Sequence, residues 1–263
     1  TRLGIPTLIQ EQNGFAGLTN KILGKKADCI CVAYDGMERF FPADKIVFTG
    51  NPIRKEIVPA TAQMKAEAYE YYGLDPQKKQ LFIVGGSLGS GTLNNAMKKW
   101  ITEGCPGGEN MQIIWQCGKY YKPSVDAFMK EAAEKGLGGE TLSRITHSDF
   151  IKRMDLAYAA ADVVISRSGA SSISELCAAH KAAIFVPSPN VTEDHQTYNA
   201  MALVNKEAGL IVKDSEAAEK LMATACELIE NPEKIALIEK NVAALAKSDA
   251  AMTIAEHIYK TIR

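Results

Sequence analysis

The chain has 263 residues, 46% of them hydrophobic and 23% charged, with a formal net charge of -1. That is globular composition, with room for one large domain or two smaller ones. The balanced charge speaks against a dedicated nucleic-acid binder, which would carry a basic excess, and no apolar run reaches the roughly 18 residues of a membrane span.

Short apolar runs alternate with helical patterns along most of the chain. Strands are expected at 7–10, 29–33, 46–49, 81–84, 112–116, 144–146, 163–166, 183–186 and 210–212. Helices are expected near 14–24, 61–72, 92–102, 123–135, 152–161, 172–180, 195–207, 215–230, 233–246 and 249–262. This alternation predicts an α/β fold, a parallel sheet with helices on both faces. The chain enters an apolar run at once, Ile5-Pro6-Thr7-Leu8-Ile9. A buried parallel strand needs neighbours on its sheet, so the beginning of the protein is expected to be missing. Cys29, Cys31, Cys105, Cys117, Cys177 and Cys226 form no C-x-x-C pair, and they read as free thiols of a reducing compartment.

Directly after the first strand, Glu11-Gln12-Asn13-Gly14 is unusually polar. It reads either as a strand end facing a cleft or as a turn built on Asn-Gly. Gly50-Asn51-Pro52-Ile53-Arg54 then interrupts the pattern, with proline biasing Asn51 toward extended backbone. A domain junction is placed there. Residues 1–54 form the tail of one domain, 55–247 a second with six strands, and 248–263 a final helix. In that helix Ile254, Ile258 and Ile262 recur at spacing four, so one face should pack on something.

Gly85-Gly86-Ser87-Leu88-Gly89-Ser90-Gly91 follows the strand at 81–84 and opens a helix. Its glycines admit close approach of a ligand or simply tight packing, and it fits neither the Walker A loop nor the Gly-x-Gly-x-x-Gly spacing. A second loop of this kind, Ser166-Arg167-Ser168-Gly169-Ala170-Ser171-Ser172, follows the strand at 163–166 and runs into a helix bearing Glu175. A helix start leaves amides without internal partners and suits a phosphate, while a carboxylate one turn on can hold a ribose diol. Ser172-x-x-Glu175 is equally a capping box. Near Asp194-His195-Gln196, Gln196 can bond sugar hydroxyls, Asp194 can cap the helix, and His195 reads as structural. No Asp-x-Asp pair occurs, so neither metal nor cofactor is expected. A leaving diphosphate would be met by amides, helix ends and a basic residue, for which Arg54 is placed best.

Taken together, Gln10-Glu11-Gln12-Asn13-Gly14, Gly50 to Arg54, Gly85 to Ser90, Ser166 to Glu175 and Asp194 to Ala200 resemble the MurG family of bacterial peptidoglycan glycosyltransferases. The sequence departs from the family pattern at Gln10, usually His, at Leu88, usually Gln, and at Ser90, usually Ala. The resemblance implies a GT-B architecture, with two Rossmann-like domains and the second holding the sugar nucleotide. It implies that the backbone of Ile151 meets uracil and that Glu175 meets the ribose. Ser87 and the amides around Ala170 and Ser171 would hold the diphosphate, with Ser172, Ile173 and Ser174 in the same donor-binding stretch. Arg54 would stand near the diphosphate, and Gln196 and Asn13 would contact the sugar. The implied activity is inverting transfer of GlcNAc from UDP-GlcNAc to undecaprenyl-diphospho-MurNAc-pentapeptide, at the cytoplasmic face of the membrane through peripheral contact. The catalytic base is expected upstream of residue 1, so this chain alone should bind donor and catalyse little. The alternatives are the donor-binding subunit of a split transferase and a UDP-GlcNAc 2-epimerase.

Overall fold

Two all-parallel sheets organise the chain. The computed structural model describes residues 3–247 and 249–261. The smaller sheet is made of β1 (Leu8–Glu11), β2 (Cys29–Val32) and β3 (Ile46–Phe48), side by side in that order, with α1 (Leu18–Gly24) joining the first two. Ile30, Val32, Ala16, Ala27, Met37 and Phe41 form its compact core.

From α2 (Ala62–Tyr72) onward, strand and helix alternate regularly. The next elements are β4 (Lys79–Val84), α3 (Gly91–Thr102), β5 (Met111–Gln116), α4 (Lys122–Glu134), α5 (Gly139–Leu142) and β6 (Ile145–Ser148). They are followed by α6 (Met154–Ala160), β7 (Val163–Ser166), α7 (Ala170–Ala178), β8 (Ala183–Phe185), α8 (His195–Val204) and β9 (Leu210–Ile211). The chain closes with α9 (Ala217–Ile229), α10 (Pro232–Ala243) and α11 (Ala250–Thr261).

The six strands lie in the order β6-β5-β4-β7-β8-β9. Counted from β4 as the first, that is 3-2-1-4-5-6, the doubly wound order, which reverses direction between β4 and β7. The strands are near-continuous apolar runs because both faces are covered. Successive residues of a strand point to opposite faces. Leu81, Ile83, Ile113, Trp115, Val163 and Ile165 pack on one side with Leu93, Met97 and Leu221 of the helices. Phe82, Val84, Ile114 and Val164 pack on the other with Leu156, Tyr158, Ile173 and Leu176. Each such aliphatic side chain contributes about 1.5–3 kcal/mol through burial.

All nine expected strands and all ten expected helices are present, with ends shifted by a few residues. The one-turn α5 and several short 3-10 turns carry no periodicity and were not expected. The six cysteines are free, five of them buried. The final helix returns to the smaller sheet, where α11 lies against β2. Gly50, at φ +79°, makes room for this: a Cβ there would stand 2.5 Å from Cβ of Lys247. The single packed face expected of α11 is only partly realised. Ile254 is half-buried, Ile258 is 44% exposed, and Ile262 lies outside the described residues.

Candidate functional site

Both Gly/Ser loops leave the carboxyl ends of β4 and β7, the two strands flanking the point where the winding reverses. A doubly wound sheet opens a crevice there, because the helices following these strands depart to opposite faces. The first loop is held from below by Gln116, the last residue of β5. Its Oε1 accepts from the Gly85 amide at 3.0 Å, and its Nε2 donates to the carbonyls of Gly86 at 2.9 Å and Asp149 at 3.1 Å. Ser90 caps α3 by accepting from the Leu93 amide. The glycines of this loop divide by purpose. A Cβ on Gly89 would sit 2.3 Å from the Cys117 carbonyl oxygen, so this position is committed to packing, whereas Gly86, at φ +84°, faces open space. Leu88 is 63% exposed.

The second loop delivers the start of α7. Gly169 is the cap residue, with extended backbone and no side-chain cap, and the first helical bond runs from the Ile173 amide to the Gly169 carbonyl at 3.0 Å. The amides of Ala170, Ser171 and Ser172 therefore stand ahead of the helical ladder, with the positive end of the helix dipole behind them. The capping-box expectation is corrected here. The helix begins two residues before Ser172, and Glu175 turns away from the helix start. Its Oε1 accepts from Arg54 through Nε at 3.0 Å and Nη2 at 2.8 Å, and its Oε2 accepts from the Tyr158 hydroxyl at 3.3 Å. The Tyr158 hydroxyl is pushed well above the ordinary tyrosine range by burial and then by the Glu175 charge, so it stays protonated and donates.

Between the two loops lies a cavity of about 260 Å³. Of the residues expected from sequence it gathers Arg54, Ser87, Ile151, Ser171, Ser172 and Glu175. Val84, Gly86, Gln116, Phe150, Met154 and Tyr158 complete its wall. Phe150 is 56% exposed, and with Ile151 it offers a flat apolar flank. Ala170 contributes position at the helix start rather than a lining side chain.

Ile173 and Ser174 are placed elsewhere. Ile173 is buried in the apolar layer, and the Ser174 hydroxyl donates to the Ala170 carbonyl and accepts from Asn51. Both line a different cavity, of about 170 Å³, behind α7. Asn13 and Gln196 lie in a polar cluster between the sheets. Oδ1 of Asn13 accepts from Asn199 at 3.0 Å, and Asn199 also accepts from the Gly14 amide at 2.7 Å. Oε1 of Gln196 accepts from the amides of Ser188 at 2.9 Å and Ser168 at 3.3 Å, which leaves its Nε2 to donate. Glu11 does not face the cleft. It is buried and ties its own loop through the amides of Asn13 and Gly17 and the side chain of Asn20. His195 is largely enclosed, edge-on to Phe15, with Nδ1 unpartnered. Asp194 precedes α8 as expected, but it accepts from the Thr197 hydroxyl instead of a helix amide.

Sequence reasoning missed Gln116, Phe150 and Tyr158. A polar residue closing an apolar strand was the available signal for Gln116. The spacing of four between Met154 and Tyr158 put both on one helix face.

A site with this geometry invites comparison with known proteins. Residues 80–257 match the family model described as the glycosyltransferase family 28 C-terminal domain. The chain belongs to that family. It is 50% identical, over 98% of its length, to the UDP-N-acetylglucosamine–N-acetylmuramyl-(pentapeptide) pyrophosphoryl-undecaprenol N-acetylglucosamine transferase of Bacteroides thetaiotaomicron, covering 67% of that protein. The protein of the same name from Flavobacterium psychrophilum is 44% identical over 99% of the chain and is likewise 67% covered. The chain thus spans about two thirds of the length of the curated relatives it matches. Among solved structures, Acinetobacter baumannii MurG superposes with a TM-score of 0.75 at 27% identity, over 98% of this chain and 68% of that one. The fold is GT-B, with the six-stranded sheet as its C-terminal Rossmann-like unit.

Proposed function

We propose that this chain is the donor-binding part of an inverting transferase that moves GlcNAc from UDP-GlcNAc to the C4 hydroxyl of MurNAc on undecaprenyl-diphospho-MurNAc-pentapeptide. The observation that carries the reading is one cavity at the winding reversal, lined by both phosphate-friendly loops, in a chain half identical to transferases of that name. Uracil lies against Phe150 and the backbone of Ile151. The ribose diol reaches Glu175. The diphosphate takes the Ser87 hydroxyl, the amides at Ala170 to Ser172, and Arg54. The sugar extends toward the cluster of Gln196 and Asn13.

As the acceptor hydroxyl attacks the anomeric carbon, the glycosidic bond to UDP breaks and negative charge grows on the departing diphosphate. Fixed amides and a hydroxyl meet that charge without having to reorganise, which is where preorganised donors lower a barrier most, and Arg54 adds its guanidinium once the donor is in place. The acceptor carries a lipid, so the whole protein works in peripheral contact with the inner face of the membrane. Among the described residues no helix is long and apolar enough to cross it.

Calorimetric titration with UDP-GlcNAc, UDP-glucose and TDP tests the donor assignment. Saturable binding that prefers UDP-GlcNAc is expected. Glu175→Ala should weaken it by roughly ten- to a hundredfold, the loss of about 1.5–3 kcal/mol for hydrogen bonds to a charged group. A folded chain that binds none of the three would overturn the reading. Formation of UDP-ManNAc without acceptor would replace it with an epimerase. Transfer restored by a separately supplied N-terminal half would identify a divided enzyme.

A further inference from the structure

Glu175 already has protein partners within the cavity. Its Oε1 carries two donors from Arg54, and its Oε2 faces Tyr158. A carboxylate oxygen has about two lone pairs to offer, so Oε1 has no room for a ribose hydroxyl while the guanidinium stays. Nor is this an ordinary surface ion pair. The Glu175 side chain is only 10% exposed, while that of Arg54 is 49% exposed, with solvent on its outer side. The backbone that carries Arg54 is pinned nearby. Asn51 accepts from Gln10 and donates to the Gln12 carbonyl and the Ser174 hydroxyl. Movement is therefore left to the long side chain, and Arg54 lines the same cavity as Ser171 and Ser172 at the positive end of α7.

We propose that Arg54 and Glu175 form an exchange latch that makes the cavity select nucleoside diphosphates over nucleosides. A nucleoside brings two hydroxyls for Glu175 but offers the displaced guanidinium nothing. A nucleoside diphosphate supplies both replacements: its ribose takes the carboxylate and its diphosphate takes the arginine. Arg54 thus discriminates twice, by withholding Oε1 of Glu175 from ligands without phosphate and by bonding the phosphate when it comes. The latch rests on the reading of the cavity as a UDP site.

Titration of the full chain with uridine, UDP and inorganic pyrophosphate tests it. In Arg54→Gln, uridine should bind at least threefold more tightly than in the unaltered chain, because nothing has to be displaced. UDP should bind at least tenfold more weakly. In the unaltered chain, saturating pyrophosphate should draw Arg54 away and tighten uridine binding, and by linkage uridine should tighten pyrophosphate binding by the same factor. This arm holds whether or not the variant folds. Uridine affinity unchanged or weakened in a folded Arg54→Gln chain overturns the latch and leaves Arg54 a plain phosphate contact. Independent or competing binding of uridine and pyrophosphate overturns it as well. Failure of UDP itself to bind the unaltered chain would instead strike the UDP reading.

Discussion

At the scale of single residues, the glycine loop separates two demands that the sequence shows as one. Gly86 and Gly89 both have positive φ, near +84° and +81°, but only Gly89 has backbone in the place of a Cβ. Gly86→Ala should cost about 1–2 kcal/mol, the price of the left-handed conformation. Gly89→Ala should cost clearly more, because the Cys117 carbonyl cannot yield; urea denaturation of the two variants measures the difference. Lys181 gives a second case. It is buried, its Nζ donates to the Ala161 carbonyl, and burial lowers it to about 8, with the charges of Lys65, Glu239 and Asp162 around it. Above pH 8 the folded chain has released this proton while the unfolded chain holds it up to about 10.5, so stability from this group rises with pH across that window. Lys181→Met should remove a rise on the order of 2 kcal/mol, read by urea denaturation at pH 8 and pH 10. Neither distinction was legible beforehand. A run of glycines does not say which of them touches the next strand's loop, and a lysine after a helix looks like any solvated one.

At the scale of elements, legibility followed burial. β4, β5 and β7 are covered on both faces, so their apolar runs stood out and their ends carried the loops to the right place. The start of α7 was misjudged by two residues, because Ser172 and Glu175 matched a local pattern while Glu175 answers to Arg54, far back in the chain. Ser172→Ala should accordingly leave stability within about 0.5 kcal/mol. Ser90→Ala removes a real cap of α3 and should cost about 1 kcal/mol. Thermal or urea unfolding of both variants reads the contrast, and equal losses would restore the capping box. Gln116 was missed for the opposite reason: its clamp on Gly85 exists only once β5 lies beside β4.

At the scale of the whole molecule, two buried asparagines stitch the sheets together. Asn51 links the loop after β1 to α7, and Asn199 links Gly14 and Asn13 to the Ser168 carbonyl. Asn199→Ala leaves the Gly14 amide buried without its acceptor and should cost about 1–3 kcal/mol. The same titration that tests donor binding should show weaker sugar discrimination, since the Asn13 side chain loses the shorter of its two hydrogen bonds and keeps only that to Glu11. The seam between β4 and β7 carries a further consequence. Leu81 faces Val163, about 80 residues along the chain, and pairings of such span close slowly because a long loop has to be ordered first. A refolding chain is therefore expected to hold two half-sheets, each with one loop, before it holds a crevice. A nucleotide bound across that seam grips both halves at once, so it prolongs the life of the folded state without hastening its birth.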